Sequence, residues 1–145
     1  MKGEPLTILL VEDNDDHAEL VKRSFEDHRI ANNIYHVVDG EEALDYLFRK
    51  GKFEAPQSSP IPHLILLDLR LPKVDGLEVL KEIRTSEILK GIPVVILTTS
   101  KADTDLIEAY DHHVNSYLVK PVDFEKFNQL IDDLGFYWLA WNQKP

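Results

Sequence analysis

Residues 63–76 read HLILLDLRLPKVDG and include four consecutive apolar residues, Leu64 to Leu67. A short apolar run without alternation is typical of a strand that is buried on both faces, and it predicts a strand at residues 63–67. Asp68 ends this run, and an amphipathic pattern predicts a helix over residues 75–90. A doubly buried strand followed by a helix is the repeating unit of α/β proteins with a parallel sheet.

The same unit repeats on both sides of this stretch. Short runs rich in Val, Ile and Leu predict four more strands, at residues 6–11, 33–38, 93–97 and 115–119. Amphipathic patterns predict four more helices, at residues 15–29, 40–50 and 103–112 and from about residue 123. The strict alternation predicts an α/β fold with a doubly wound, five-stranded parallel sheet and helices on both faces. We expect the flavodoxin-like strand order 2-1-3-4-5.

The predicted helix over residues 75–90 has one apolar and one polar side. We expect Glu78, Lys81, Glu82 and Arg84 to face solvent. The apolar stripe that should pack on the core consists of Leu77, Leu80, Ile83, Ile88 and Leu89.

A stretch rich in turn-forming residues separates the second helix from the third strand. Its members are Gly51, Pro56, Ser58, Ser59, Pro60 and Pro62, and they predict a loop. Two interpretations stay open for this loop: a surface insertion without a role, and a contact site for a partner.

Composition excludes several classes of function. The 145 residues include 16 Lys and Arg against 26 Asp and Glu, which gives a formal net charge of −10 and opposes direct binding to nucleic acid. The absence of cysteine excludes disulfide scaffolds, thiolate metal sites and cysteine nucleophiles. The apolar run over residues 6–11 is too short for a signal peptide or a membrane span, so we expect a cytoplasmic protein without membrane attachment.

Polar residues follow four of the five predicted strands. Glu12 and Asp13 follow the first strand, Asp68 the third, Thr98 the fourth and Lys120 the fifth. The second strand ends at Asp39 and Gly40, which predict a plain turn with a helix cap and no chemistry. Each polar residue alone is typical of a cap, a turn or a solvated surface. Because the carboxyl ends of parallel strands lie at one edge of the sheet, their joint occurrence favours a functional site.

The strand order would bring Glu12, Asp13 and Asp68 together at the switch point between the first and third strands. Three carboxylates in one small space repel one another unless a cation pairs with them. Oxygen ligands favour Mg²⁺, with Mn²⁺ as an alternative, and phosphate oxygens commonly complete such a site. Asp68 is then the best candidate for a carboxylate nucleophile that forms an aspartyl phosphate. Lys120 and Thr98 would contact the phosphoryl oxygens.

From about residue 6 to residue 134, the chain resembles the receiver domain of two-component response regulators. The motifs that carry the resemblance are ILLVEDN, LILLDLRLPKVDG, PVVILTTS and YLVKP. The resemblance implies that Asp68 accepts a phosphoryl group from a partner histidine kinase. It also implies that Mg²⁺ is held by the carboxylates of Glu12, Asp13 and Asp68 and by the backbone carbonyl of Arg70.

The resemblance assigns further roles. Thr98 and Lys120 would hold the phosphoryl group, and Tyr117 matches the aromatic position that swings inward when the threonine moves. Arg70 and Ser100 occupy two positions that modulate the lifetime of the aspartyl phosphate in this family. Catalysis would be self-directed, limited to phosphoryl acceptance and autodephosphorylation, without turnover of an external substrate. Glu12 departs from the family pattern, since many receivers have aspartate there, and its longer side chain leaves direct and water-mediated ligation both open.

The end of the chain is unusually aromatic. We expect residues 1–135 to form the receiver domain, and residues 136–145 to extend its last helix without a separate output domain. Two interpretations of this extension stay open: a dimer or partner interface, which we favour, and a tail that folds back on its own domain. Its apolar residues occupy the whole helix circumference and are Phe136, Tyr137, Trp138, Leu139 and Trp141.

The loop, the segment YDHHVNSYLVK and this ending resemble the stand-alone response regulators of cyanobacterial and bacterial phytochromes. That resemblance implies a homodimer formed through helix 4, strand 5 and helix 5, whose surface would carry the signal. Two other interpretations stay open: a phosphorelay intermediate, and a pseudo-receiver that only binds partners. A phosphatase of the haloacid dehalogenase type is disfavoured because Arg70 stands two residues after Asp68, where those enzymes have a second aspartate.

Overall fold

The computed structural model describes residues 6–27, 32–98, 116–119, 125–126 and 129, and the structural statements below concern these residues. It contains one parallel sheet with the strand order β2-β1-β3-β4-β5, as the sequence predicts. The strands are β1 (Leu6–Val11), β2 (Asn32–Val37), β3 (Leu64–Asp68), β4 (Val94–Thr98) and β5 (Ser116–Val119). The helices are α1 (Asp15–Asp27), α2 (Gly40–Leu47) and α3 (Gly76–Thr85).

The central strands are buried on both faces. Every residue of β3 is buried, which agrees with its unbroken apolar sequence. On one face, alternate residues such as Leu9, Ile65 and Ile96 form a core cluster with residues of α2 and α3. The residues between them, such as Leu10 and Leu66, are equally buried. The sheet is therefore covered on both sides.

Helix α3 is shorter than the sequence predicts. It ends at Thr85, because Ser86 has an extended backbone with ψ of 127°. Residues 86–90 instead form a separate turn, in which the Ser86 hydroxyl accepts a hydrogen bond from the backbone N–H of Leu89. The prediction that Ile88 belongs to the apolar stripe is wrong, since this side chain is 76% exposed.

Arg84 also differs from its predicted place on the exposed side of α3. Its guanidinium is half-buried and donates hydrogen bonds to the carbonyls of Lys90 and Ile92, at 2.9 and 2.8 Å. Burial lowers the pKa of this guanidinium. The Arg84 side chain thus links the end of α3 by hydrogen bonds to the segment that follows the helix.

The loop rich in proline is a folded element. It contains two 3₁₀ turns, Gly51–Phe53 and Pro56–Ser58, and follows the end of α2 at Leu47. The predicted end of this helix at residue 50 is three residues too late, because Arg49 has a left-handed backbone with φ of 54°. Ser59 is buried, and its hydroxyl donates a hydrogen bond of 2.8 Å to the carbonyl of Phe53.

None of the helices in the described ranges has the length and apolar character that are needed to cross a membrane.

Candidate functional site

The carboxyl ends of β1 and β3 bring three acidic residues together. Val11 pairs with Leu67 across these strands, so Glu12 and Asp68 follow as neighbours at the same edge. One carboxylate oxygen from each of Glu12, Asp13 and Asp68 lies within 4.8 Å of the others. Glu12 is 1% and Asp68 7% exposed, whereas Asp13 lies at the surface. The predicted convergence of the three carboxylates is therefore confirmed.

The buried carboxylate of Glu12 is held at the beginning of α1. Its Oε2 atom accepts a hydrogen bond of 3.2 Å from the backbone N–H of Asn14. Its Oε1 atom lies 3.8 Å from Nδ1 of His17. The Asn14 side chain in turn accepts a hydrogen bond from the backbone N–H of His17, which caps the helix. Glu12 thus has a defined orientation although its side chain is longer than that of aspartate.

The backbone of Glu12 is fixed from the neighbouring strand. Its N–H donates to the carbonyl of Val37 at 3.1 Å, which extends the β1–β2 ladder by one residue. Its carbonyl oxygen lies 2.8 Å from Nε2 of His36. The first acidic position is therefore anchored to β2 as well as to α1.

Asp68 lies in a tight junction between β3 and α3. Its Oδ1 atom accepts a hydrogen bond of 3.3 Å from the backbone N–H of Arg70. The N–H of Gly76 donates to the carbonyl of Leu69 at 3.1 Å. A Cβ atom at Gly76 would lie 2.4 Å from the carbonyl oxygen of Asp68. No side chain could fit at this position unless the backbone moved. The close approach of α3 to the end of β3 therefore requires glycine at this position.

The chemistry of these donors fits a hard divalent cation. Carboxylate oxygens are the ligands that Mg²⁺ and Mn²⁺ prefer, and Mg²⁺ is usually bound through one or two protein carboxylates together with water and phosphate oxygens. The cluster offers carboxylate oxygens from two buried residues and one exposed residue, all within reach of a single cation. Glu12, Asp13 and Asp68 are therefore the residues that would hold such an ion.

The end of β2 has contacts that the sequence interpretation as a plain turn did not include. The predicted cap is present, since Oδ1 of Asp39 accepts a hydrogen bond of 2.7 Å from the backbone N–H of Glu42. In addition, Oδ2 of Asp39 lies 3.6 Å from Nζ of Lys73, and the N–H of Gly40 donates to the carbonyl of Pro72 at 3.3 Å. The end of β2 therefore contacts the loop between β3 and α3.

The remaining predicted site residues are described only in part or lie outside the described residues. Thr98 ends β4 and pairs with Val119, and Tyr117 pairs with Ile96, but their side chains are outside the described part. The predicted helix over residues 103–112 is also outside it. The same holds for Ser100, Lys120, Phe136, Tyr137, Trp138 and Trp141.

Sequence reasoning missed three neighbours of Glu12, which are Asn14, His17 and His36. Asn14 and His17 belong to the run NDDH directly after the acidic pair, so a helix-cap pattern could have identified them. His36 lies 24 residues away in the chain and becomes a neighbour only through the register of β1 with β2.

The comparisons of this sequence with known proteins all indicate the same family. The sequence model of the response regulator receiver domain matches residues 8–132. A probable methanogenesis regulatory protein, FilR2 of Methanothrix harundinacea, is 49% identical over 98% of this chain and 89% of its own length. The response regulator Rcp1 of Synechocystis sp. is 42% identical over 93% of this chain and 90% of its own length.

Solved structures agree with these sequence matches. The bacteriophytochrome response regulator RtBRR is 46% identical and superposes with a TM-score of 0.85, covering 97% of this chain and 84% of that one. The Mn²⁺-bound form of Rcp1 is 41% identical with a TM-score of 0.73, covering 93% of this chain and 95% of that one.

Proposed function

The chain belongs to the response regulator receiver domain family, and we propose from this membership and from its acidic cluster that Asp68 accepts a phosphoryl group from a partner histidine kinase. The observation that carries the proposal is the convergence of Glu12, Asp13 and Asp68 at the carboxyl ends of β1 and β3. Ligands of open α/β sheets bind at this switch point.

The proposed reaction is a displacement at phosphorus. A carboxylate oxygen of Asp68 attacks the phosphorus atom of a phosphohistidine. The bond between phosphorus and the imidazole nitrogen breaks, and that nitrogen keeps the electron pair and takes up a proton. The product is an acyl phosphate on Asp68, which water later hydrolyses to carboxylate and inorganic phosphate.

Four oxygen donors are proposed to hold Mg²⁺: the carboxylates of Glu12, Asp13 and Asp68 and the backbone carbonyl of Arg70. The bound cation would offset negative charge on the phosphoryl oxygens and the carboxylates. The N–H of Arg70 donates to Oδ1 of Asp68, which orients this carboxylate. The similar protein Rcp1 has a solved Mn²⁺-bound form, which supports the binding of a divalent cation.

We assign the remaining roles by family membership. Thr98 and Lys120 hold the phosphoryl oxygens, and Tyr117 changes orientation when Thr98 moves toward the phosphoryl group. Arg70 and Ser100 modulate the lifetime of the acyl phosphate. The altered surface then involves β5 and the predicted fourth and fifth helices, and it changes dimerisation through the aromatic residues 136–141.

A phytochrome-type histidine kinase is the proposed phosphodonor. The support is the similarity to two bacteriophytochrome response regulators, both 46% identical, and to the phosphorylated cyanobacterial phytochrome response regulator RcpA, 38% identical. Each match covers at least 93% of this chain. We therefore propose a single-domain cytoplasmic regulator that acts through protein partners.

Incubation with acetyl phosphate tests the proposal directly. Wild-type protein should gain the mass of one phosphoryl group when Mg²⁺ is present and none when the cation is chelated. Asp68→Asn should gain none, whereas Asp45→Asn, which changes an aspartate on α2, should behave as wild type. Full phosphorylation of Asp68→Asn would overturn the assignment of the acceptor.

A further inference from the structure

Asp39 and Gly40, at the junction of β2 and α2, contact the loop that joins β3 to α3. We call residues 69–75 the β3–α3 loop; it follows Asp68 directly. Asp39 is one of four buried polar or charged residues in the described part of the chain, and it lies outside the acidic cluster. Its contacts with the loop therefore need a separate explanation.

Gly40 allows the loop backbone to approach. Its N–H donates to the carbonyl of Pro72 at 3.3 Å. A Cβ atom at this position would lie 1.8 Å from the carbonyl oxygen of Val74 and 2.6 Å from its carbonyl carbon. Both are backbone atoms, so a side chain here could be accommodated only by moving the loop or α2.

Asp39 adds a charged contact at the same place. Its Oδ2 atom lies 3.6 Å from Nζ of Lys73, while its Oδ1 atom caps α2. Lys73 has a left-handed backbone with φ of 67°, which is uncommon for a residue with a long side chain. The carboxylate therefore favours a loop conformation that the lysine backbone alone disfavours.

The other end of the loop is equally constrained. Gly76 packs against the carbonyls of Asp68 and Leu69, and its N–H bonds to Leu69. Both ends of the loop are thus held by a glycine at a close backbone contact. Arg70 lies between them, and its N–H bonds to the Asp68 carboxylate. A shift of the loop at Val74 must therefore be absorbed within a few residues of Arg70.

We infer that Asp39 and Gly40 are positioning residues, which hold the β3–α3 loop so that the peptide of Arg70 is correctly placed beside Asp68. Where it concerns the cation, this inference rests on the proposed function, because the Arg70 carbonyl is one of the proposed ligands. The contact of β2 with the loop itself does not depend on any ligand.

A pair of alanine variants tests the role of Gly40. Gly40→Ala introduces the clash with Val74, whereas Gly91→Ala is a matched control because nothing lies within 4 Å of its added Cβ. In metal-free protein, amide exchange at Arg70 and Gly76 should become at least about tenfold faster in Gly40→Ala and stay unchanged in Gly91→Ala. The amide of Leu9 in the core reports whether the variant is folded. Unchanged exchange at Arg70 and Gly76 in folded Gly40→Ala would overturn the inference.

Substitution of Asp39 separates the charge from the helix cap. Asparagine caps helices as well as aspartate, so Asp39→Asn keeps α2 but loses the attraction to Lys73. Because Lys73 is largely exposed, we expect exchange at Arg70 to increase only about two- to threefold at low salt. Lys73→Met should cause the same change, and the double variant no more than either single one. If Asp39 only capped α2 and did not position the loop, amide exchange at Arg70 would be the same in Asp39→Asn as in wild type.

Titration with Mn²⁺, followed by the electron paramagnetic resonance of the free ion, extends the test to the cation. Gly40→Ala should bind Mn²⁺ about tenfold more weakly than wild type, and Gly91→Ala as wild type does. Equal affinity of Gly40→Ala and wild type would overturn the link to the cation. If wild-type protein did not bind Mn²⁺, the proposed function would fail, while the exchange measurements on metal-free protein would still decide the positioning role.

Discussion

Glu12 is the most deeply buried of the three clustered carboxylates. Its exposed fraction is 1%. Its carboxylate accepts a hydrogen bond from the backbone N–H of Asn14 and lies near the imidazole of His17. A buried carboxylate is stable only when such partners or a cation offset the loss of water. The additional methylene of glutamate is therefore accommodated by bending the carboxylate toward the first turn of α1.

Neutralising Glu12 should weaken the cation site without changing its shape. Glu12→Gln keeps the volume and one carbonyl oxygen for the Asn14 N–H but removes the charge. We expect Mn²⁺ affinity to fall by about tenfold or more, or roughly 1.4 kcal/mol. Glu19→Gln is the matched control, because Glu19 is exposed and paired with Arg23 on α1. Equal Mn²⁺ affinity in Glu12→Gln and wild type, measured by calorimetry, would remove Glu12 from the ligand set.

The sequence was sufficient to predict which acidic residues meet, because strand ends and a parallel order fix their location. It was not sufficient for the contact between His36 and Glu12, which depends on the exact register of β1 with β2. Nor did it indicate that Asp39 would contact Lys73. That contact depends on the path of the β3–α3 loop. A loop sequence has no periodic pattern from which this path could be predicted.

At the level of elements, Tyr46 joins α2 to the loop that follows it. The side chain is buried, and its hydroxyl donates a hydrogen bond of 2.7 Å to the carbonyl of Pro60. Its ring and that of Phe53 pack edge to face, with 5.2 Å between the ring centroids. Arg49 adds longer hydrogen bonds to the carbonyl of Ser59. These contacts explain why a stretch rich in proline and serine folds against the domain.

Removing the Tyr46 hydroxyl should destabilise the protein. Tyr46→Phe keeps the ring contacts but leaves the Pro60 carbonyl without this donor, which costs about 1–2 kcal/mol of unfolding free energy. Urea denaturation measures the difference. Tyr35→Phe, at the neighbouring ring, is the control and should change stability by less than about 0.5 kcal/mol. Equal stability of Tyr46→Phe and wild type would show that the hydrogen bond is not maintained in solution.

The same hydroxyl predicts a dependence on pH. Burial raises the pKa of Tyr46 above its ordinary value of 10.0. The folded protein therefore keeps this proton at a pH where the unfolded chain releases it, and stability decreases as pH rises above 10. The difference in unfolding free energy between wild type and Tyr46→Phe should be constant below pH 10 and become smaller above it. A difference that grows above pH 10 would contradict the assigned direction.

Helix α3 illustrates what a hydrophobic stripe does not specify. Apolar residues continue at helical spacing to Leu89, yet the helix ends at Thr85. Serine competes with the helix by bonding to nearby backbone groups, and Ser86 does so with the N–H of Leu89. Arg84 then donates hydrogen bonds to the carbonyl of Lys90 in this turn and to the carbonyl of Ile92 just after it. The helix thus ends at a local hydrogen bond of one serine. In the sequence, a single serine is a weaker signal than the apolar stripe.

For the whole molecule, the alternation of strands and helices was enough to predict the sheet and its order. Parallel strands need long crossovers, and right-handed crossovers leave few arrangements for five of them. The order β2-β1-β3-β4-β5 then locates the site at the boundary between β1 and β3. The proposed signalling surface has no comparable rule, because it would depend on contacts with partner molecules.

The aromatic residues near the end of the chain are predicted to hold a dimer together. Replacement of Trp138 and Trp141 by alanine should shift the protein from dimer to monomer in sedimentation equilibrium, since aromatic anchors supply much of an interface's binding energy. Ile88→Ala is the control, because Ile88 is the most exposed large apolar residue in the described part of the chain. An unchanged mass of the double variant would favour a tail that folds back on its own domain.

Identifying the phosphorylated residue tests the role of Asp68 directly. Protein treated with acetyl phosphate and Mg²⁺ is reduced with borohydride, which converts an acyl phosphate on aspartate to homoserine, and its peptides are then sequenced by mass spectrometry. We predict homoserine at position 68 alone, and none when Mg²⁺ is omitted. Homoserine at position 13, or at no position after complete reaction of a known receiver in parallel, would contradict the assignment of Asp68 as the acceptor.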